Sequence, residues 1–360
     1  VSDVYAQPTA AAQPASTDDL AQYTTLCLGG PAGRVVTAIN ADEIVSRVRE
    51  AGSEILLIAG GSNVVIGDGG FPGTVVLVRS RGLRVLTEDE QTVTVRVEAG
   101  EPWDDLVAAT VRNGWSGLEC LSGIPGSTGA TPIQNVGAYG QEVAETITAV
   151  QVYDRTTGTV GQVEAADCGF AYRSSIFKYN ERWVVLSVDF RLARSPLSGA
   201  VRYAELARAL GVEVGDRVPL AQARATVLGL RAGKGMVLDA DDPDTRSVGS
   251  FFTNPVLDAG AYEQLRQRAA GLGEPPAWPG AGDLVKVSAA WLIDKAGFGK
   301  GYPGPEGTAI SSKHTLALTN PTGTASTQAL LTLAREIRDG VQTRFGVTLH
   351  PEPVLINCTL

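Results

Sequence analysis

The sequence predicts an α+β fold on three observations. Some segments carry apolar residues at helical spacing, others alternate or run apolar as strands do, and hairpin signals stand where a strand–helix–strand repeat would have crossovers. Residues 41–52, ADEIVSRVREAG, put Ile44, Val45 and Val48 on one helical face and stop at a glycine. ILLIAGG from residue 55 reads as a buried strand, TVVLVR at 74–79 as another, and TVTVRVEAG at 92–100 alternates with period two. Trp103 to Arg112 forms an amphipathic helix. TAVQVYDRTTGTVGQV from 148 is a hairpin turning near Thr157-Gly158, and RWVVLSVDFRL at 182–192 is a further strand. Beyond Pro196 a polar stretch runs to about 218, followed by a helix at 219–232. The last third predicts helices at AYEQLRQRAAG, SAAWLIDKAG and residues 326–345 between short apolar strands, with no internal repeat. A change of composition at LDADDPDTRSVG, 238–249, marks a domain change.

With 360 residues the chain has room for two or three domains of roughly 100–200 residues each. Hydrophobic residues are 44% of it, enough for a sizeable core, so most of the chain is expected to fold. A net charge of −9 argues against a nucleic-acid binder, which needs a basic face to replace counterions. An anionic small ligand stays open, because local sites can defy the overall sign. Cys27, Cys120, Cys168 and Cys358 are far apart, and His314 and His350 are the two histidines, so neither a metal site nor a disulfide framework is expected. The first 20 residues, rich in Ala, Pro, Gln and Ser without a basic start or apolar run, read as a flexible tail. No stretch of about 20 apolar residues occurs, so a membrane span is not expected and the cytoplasm is the expected location.

Two glycine-rich segments stand apart from this framework. IAGGSNVVIGDGG covers 58–70, and SGIPGSTGATPIQNVGAYG covers 122–140 with five glycines, two prolines and Tyr139 as its one ionisable side chain. Glycine lets backbone N–H groups approach a phosphate and tolerates the positive φ that concave anion nests require, so a pyrophosphate is the predicted guest. Neither segment is G-x-G-x-x-G, and neither Gly233-Lys234 nor Gly299-Lys300 completes a P-loop, which excludes the usual dinucleotide and NTPase motifs. Tight turns without a ligand are the competing reading.

GGSNVVIGDGGFPGTVV and GIPGSTGATPIQNVGAYGQEV, followed in order by YRSSIFK, GSFFTNP, AAWLID and HPEP, resemble the UDP-N-acetylenolpyruvoylglucosamine reductase family from about residue 24 to 354. The resemblance implies an FAD-binding fold of the vanillyl-alcohol-oxidase type. Two FAD-binding subdomains would cover 21–85, joined by 349–360, and 86–215, with a third α+β substrate-binding domain at 216–348. It implies non-covalent FAD, held by Gly60, Gly61, Ser62, Asn63 and Val64 in one loop. Ser122, Gly123, Ile124, Gly126, Ser127, Gly129, Asn135, Gly137 and Ala138 would form the other. The implied reaction reduces UDP-N-acetylglucosamine enolpyruvate to UDP-N-acetylmuramate, with NADPH as hydride source.

By the same resemblance Arg173, Ser250 and Glu352 are the catalytic residues. Arg173 in AYRSSIF has the planar fork that suits a carboxylate. Ser250 in VGSFFTNP matches a proton donor, and a serine needs close positioning and polarisation to act as one. Glu352 in LHPEPV matches a glutamate acting with the arginine, and His350 stands where relatives often carry an acid. Tyr172, Lys234 and Asn254 match residues that contact the UDP-sugar, lysine being a suitable point charge for a diphosphate. Tyr203 in VRYAEL matches a lid tyrosine, with a half-buried helix aromatic as the competing reading. A monomer without nucleic-acid or membrane partners is expected. The alternatives are another FAD-dependent oxidoreductase of the superfamily, or a catalytically silent flavin or UDP-sugar sensor.

Overall fold

The structure, a computed structural model, describes residues 18–360. Most of the expected N-terminal tail therefore lies outside the described residues. Its last residue departs from that expectation: Leu20 is fully buried, and its N–H donates to the Gly30 carbonyl at 2.9 Å. Leu20 opens a 3-10 turn, Leu20–Tyr23, whose N-cap is Asp19. An apolar side chain at the end of a polar run finds a core to enter.

Packing divides the chain into two compact units. The first comprises Arg34–Gly60 and Gly73–Val237, the second the residues up to Gly33, Gly61–Pro72 and Leu238–Leu360. The first glycine-rich segment is thus split between Gly60 and Gly61. Residues 216–237, assigned from the resemblance to the substrate-binding part, are in the first unit.

In the first unit, strand Trp183–Arg194 is the spine of an antiparallel sheet. Ile147–Asp154 pairs along one side of it and Thr92–Glu98 along the other, with Thr159–Glu164 and Leu83–Glu88 outside them. The predicted hairpin closes at Gly158, whose φ of +72° requires glycine and whose N–H donates to Asp154 O at 2.8 Å. Strand Ile55–Ile58 runs parallel to Phe71–Val78 from Thr74 onward. Helix α1, Ala41–Ala51, buries Ile44, Val45 and Val48 as the spacing predicts, and Asn40 caps it by accepting the Glu43 N–H at 2.9 Å. Helix α2, Trp103–Arg112, sets Trp103 against Phe190 of the spine, ring centroids 6.0 Å apart. Helix α3, Ala204–Leu210, lies inside the stretch read as polar. Seven residues are too few to show a helical period among the surrounding charges. Helix α4, Leu220–Ala232, completes the unit.

The second unit holds helices α5 (Ala259–Arg268), α6 (Ala289–Lys295) and α7 (Thr327–Phe345). Its strands are short. Ser247–Ser250 pairs with Ala317–Thr319, and Val354–Ile356 pairs in parallel with Val64–Ile66. Leu330, Leu333, Ala334, Ile337, Val341 and Phe345 form the buried face of α7. Its N-terminus is closed by Ser326 and by the Asp68 carboxylate, which accepts the N–H groups of Thr327 at 2.7 Å and Gln328 at 3.0 Å. Among the described residues no helix is long and apolar enough to cross a membrane.

Gly340 sits inside α7, where alanine ordinarily stabilises a helix by about 1 kcal/mol. A Cβ there would run into the ring of Phe298, which is buried and stacked edge-to-face on Tyr302 at 5.0 Å. Overpacking typically costs about 1–3 kcal/mol. Gly340→Ala should therefore lower the guanidinium midpoint instead of raising it, and a stabilised variant would show that the ring has room to move.

Candidate active site

Packing enforces bare backbone in the glycine-rich loop of the first unit. A Cβ on Gly60 would stand 2.5 Å from the Cα of Gly126, so the two glycine-rich stretches meet there backbone to backbone. A Cβ on Gly129 would come within 2.5 Å of the Ala99 Cβ, and one on Gly123 within 2.8 Å of Leu228 Cδ2. The loop is also tied from α2. Trp103 donates its indole N–H to Leu121 O at 2.9 Å and its backbone N–H to Gly126 O at 3.1 Å. Asp104 accepts the Gly123 N–H at 2.6 Å while holding both ends of the Arg224 fork from α4 at 2.7 Å. Burial pushes the Asp104 carboxyl up, but Arg224 and the Gly123 N–H outweigh it and hold it below the usual range.

The predicted loop residues divide by what they face. Ser122 is fully buried and donates to Glu119 O at 2.7 Å. Asn135, 1% exposed with φ +44°, donates to Glu142 at 2.8 Å and accepts the Ala144 N–H at 3.2 Å. These two side chains shape the loop, so a ligand contact at either falls to its backbone. The N–H groups of Ile124, Gly126 and Ser127 have no acceptor among the described residues. Gly137 and Ala138 form a two-residue strand against Gln141–Glu142.

Arg173 is brought to this loop. Its Nη2 donates to Gly137 O at 2.8 Å, and its guanidinium lies 5.4 Å from the Tyr172 ring centroid. The backbone at Arg173 is left-handed, φ +52°, fixed by reciprocal hydrogen bonds between Ala171 and Ser174 and by Lys178 donating to Arg173 O at 3.0 Å. Such a conformation costs a non-glycine residue about 1–3 kcal/mol, which persists where the surroundings over-determine it and clusters at functional sites. Tyr139, φ +48°, shares it.

A second cluster gathers at the start of α3 and the end of α4. Tyr203, at the N-cap of α3 and 41% exposed, stacks edge-to-face on Tyr139 at 5.6 Å. Lys234 lies 5.5 Å over the Tyr139 ring and pairs with Glu205 at 2.7 Å. Burial raises the Tyr139 phenol to about 12, so the ring is neutral at working pH. Three residues before Lys234, Arg231 is 9% exposed. Its Nη2 donates to Met236 O at 2.9 Å, and its Nε has no partner among the described residues. Burial lowers Arg231 to about 10, still a cation at neutral pH. Sequence reasoning missed Arg231, Asp104 and Tyr139. The one-turn spacing of Arg231 to Lys234 was the signal for the first; nothing local marked Asp104.

In the second unit the structure joins residues far apart in sequence. Ser250 ends its strand opposite Ala317, and the next residue, Phe251, accepts the Glu352 N–H at 2.9 Å through its carbonyl. Thr253 donates to His350 O at 3.1 Å, and Phe252 pairs with Pro351. Ser250 and Glu352 are thereby held on adjacent backbones. Two residues past Glu352, Val354 donates to Asn63 O at 3.0 Å, which brings in Ser62, Asn63 and Val64. Gly61, at φ +60°, presses on Tyr23 O, where a side chain has no space. Asn254 accepts the Ala289 N–H at 2.9 Å, which fixes its amide against the start of α6. His314, not singled out by the sequence, accepts the Leu316 N–H at 3.0 Å through Nδ1 beside the strand that pairs with Ser250.

Comparison with known proteins identifies the family. Two family models match, "UDP-N-acetylenolpyruvoylglucosamine reductase, C-terminal domain" over residues 241–356 and "FAD binding domain" over 32–164. The reductase of that name from Salinispora arenicola is 75% identical over 98% of this chain and 99% of its own length. This chain belongs to the UDP-N-acetylenolpyruvoylglucosamine reductase family. The Thermobifida fusca member is 56% identical over 95% of this chain and 97% of its own. The crystal structure of the Thermus caldophilus reductase superposes with a TM-score of 0.65 at 25% identity, covering 95% of this chain and 99% of that one. The α+β architecture with an FAD-binding part, expected from the sequence, is the family's.

The residues present fit FAD. The orphaned Nε of the buried Arg231 and the unengaged N–H groups of Ile124, Gly126 and Ser127 are donors for an anionic group, and loops too tight for a Cβ let it come close. The Asp104 tie makes this cradle testable. A carboxyl held below its ordinary range stabilises above the unfolded value, near 4, and that contribution is lost as pH falls through the lowered one. FAD should therefore loosen in the acid range below about pH 4. Asp104→Ala at neutral pH should weaken FAD binding about tenfold or more, as expected for losing charge-assisted hydrogen bonds. Titration of the deflavinated protein by flavin fluorescence measures it; unchanged affinity would remove Asp104 from the cradle.

Proposed function

We propose that this chain is an NADPH-dependent flavoenzyme that reduces UDP-N-acetylglucosamine enolpyruvate to UDP-N-acetylmuramate, a peptidoglycan precursor, with Arg173, Ser250 and Glu352 as its catalytic residues. The observation that carries the residue roles is the pairing of the Ser250 and Glu352 backbones beside residues 62–64, in a chain whose Arg173 is held in a left-handed turn on the glycine-rich loop. When bound, FAD supplies two-electron chemistry, taking a hydride from NADPH and giving one to C3 of the enolpyruvyl group.

Hydride arrival at C3 leaves an electron pair on C2 that spreads into the adjacent carboxylate. Arg173 binds that carboxylate with its planar fork and stabilises the charge as it grows. Its cost in backbone strain is offset by an orientation that needs no rearrangement during the reaction. Ser250 gives the proton from its hydroxyl to C2, completing the lactyl ether, and is replenished from water. Glu352 orients the carboxylate with Arg173. Tyr172, whose ring lies 5.4 Å from the Arg173 guanidinium, contacts the sugar nucleotide. Lys234 binds the diphosphate, Asn254 contacts the sugar nucleotide, and Tyr203 closes over the uridine. The backbones of Gly60 to Val64 and of the loop from Ser122 to Ala138 hold FAD without a covalent bond. The three-part division by role, a monomeric state, a cytoplasmic location, and the absence of nucleic-acid or membrane partners complete the reading.

Ser250→Ala should leave flavin reduction by NADPH nearly intact and slow reoxidation by the enolpyruvyl sugar nucleotide about 10²- to 10⁴-fold, the usual range for a positioned proton donor. Stopped-flow traces of each half-reaction test it. Equal loss in both halves would show that the serine does not donate the proton. Wild-type protein that oxidises NADPH no faster when that substrate is added would favour the sensor reading, and flavin retained by the denatured polypeptide would favour a tethered-flavin oxidase.

A further inference from the structure

Lys234 is not waiting free for a diphosphate. Its Nζ is 2.7 Å from Glu205 Oε2, and the two side chains are 30% and 37% exposed, so the pair is open to a competing anion. Glu205 belongs to the first turn of α3, two residues after Tyr203. The segment Arg202 to Glu205 is therefore tied down at both ends. Arg202 pairs with Glu145 at 2.9 Å, with side chains 60% and 40% exposed, and Glu205 pairs with Lys234.

Lys234 has one carboxylate partner, Glu205, and lies over a Tyr139 ring that is neutral. Such a lysine favours an anion carrying more than one charge over the single carboxylate in place. Exposed pairs contribute little to stability, so exchanging one is inexpensive, and charge-assisted bonds to a diphosphate are the stronger kind.

We propose that Glu205 is a built-in competitor for the diphosphate site. Its carboxylate occupies Lys234 in the ligand-free protein, the diphosphate of the sugar nucleotide displaces it, and the displacement releases the Tyr203 end of α3 to close. This rests on the reading of Lys234 as the diphosphate residue. Glu205 touches no reacting atom; it sets how tightly a diphosphate binds and couples that binding to the position of Tyr203.

The test uses the flavin-loaded enzyme with UDP as the probe, binding followed by calorimetry and retention of flavin absorbance as the control for folding. Glu205→Gln should tighten UDP about two- to fivefold, the range expected when an exposed ion pair no longer has to be broken. Uridine without phosphates should bind both proteins alike. Lys234→Met should weaken UDP about tenfold or more, and in that background Glu205→Gln should bring no further gain. Unchanged or weaker UDP binding in Glu205→Gln, with Lys234→Met still weakened, would overturn the competitor role and leave the diphosphate reading intact. Undiminished UDP binding in Lys234→Met would overturn the diphosphate reading itself, and the competitor role with it.

Discussion

The Asp104 carboxylate is the tie on which the first unit's ligand loop depends. Glycine-rich backbone has no side chains to pin it and loses more freedom on ordering than any other kind. Something outside the loop must fix it. Asp104 does so by taking the Gly123 N–H with one oxygen while both oxygens hold Arg224, which joins α2, α4 and the loop in one network. Close packing supplies the remaining constraint, with Gly60 against Gly126 and Gly129 against Ala99 at separations that admit no Cβ. The loop is thus rigid without bulk, and the N–H groups of Ile124, Gly126 and Ser127 are left for a ligand instead of being spent on its own folding.

The second unit solves a different problem, that of holding two side chains 102 positions apart in register, from Ser250 to Glu352. It uses main-chain bonds throughout: Glu352 to Phe251, Thr253 to His350, Val354 to Asn63. Main-chain pairing is indifferent to side-chain identity, so the residues at these positions are free to be chosen for chemistry. Phe251 and Phe252, 0% and 1% exposed, anchor the strand end in the core directly after the serine. His350 takes part through its carbonyl alone, which leaves the imidazole outside the pairing.

Much of this was legible in the sequence, and what was not has a common cause. The helices at 41–51, 103–112, 220–232 and 327–345 and the long strands appear where periodicity puts them, because each buries one continuous face and burial is what periodicity encodes. Strand Leu83–Glu88 was invisible since five of its six residues are exposed and nothing alternates. Helix α3 was hidden by its shortness. At the site, glycine-rich composition pointed to where backbone comes close, and motif order singled out Arg173, Ser250 and Glu352. The support beneath them stayed hidden: Asp104 reads as an ordinary acid in the first turn of a helix, Arg231 as an ordinary base in the last. Their roles come from tertiary partners, Gly123 for one and the lack of any for its Nε in the other, and local sequence does not record partners.

The overall charge of −9 and the handling of an anionic ligand are reconciled by where acids are neutralised. Around the loop and the ends of α3 and α4, each nearby acid already has a partner: Asp104 holds Arg224, Glu119 accepts the N–H groups of Gly117 and Gly199, and Glu205 holds Lys234. Among the described residues there, Arg231 keeps a buried Nε without an acceptor. A field is set over a few ångströms by such neutralisation, and beyond about 10 Å salt screens the rest of the acidic surface. An acidic protein can therefore present a locally positive backbone and guanidinium to an anion. The net charge argues against extended polyanions, which would have to lie along the acidic surface, and it does not weigh against an anion small enough to fit inside one neutralised patch.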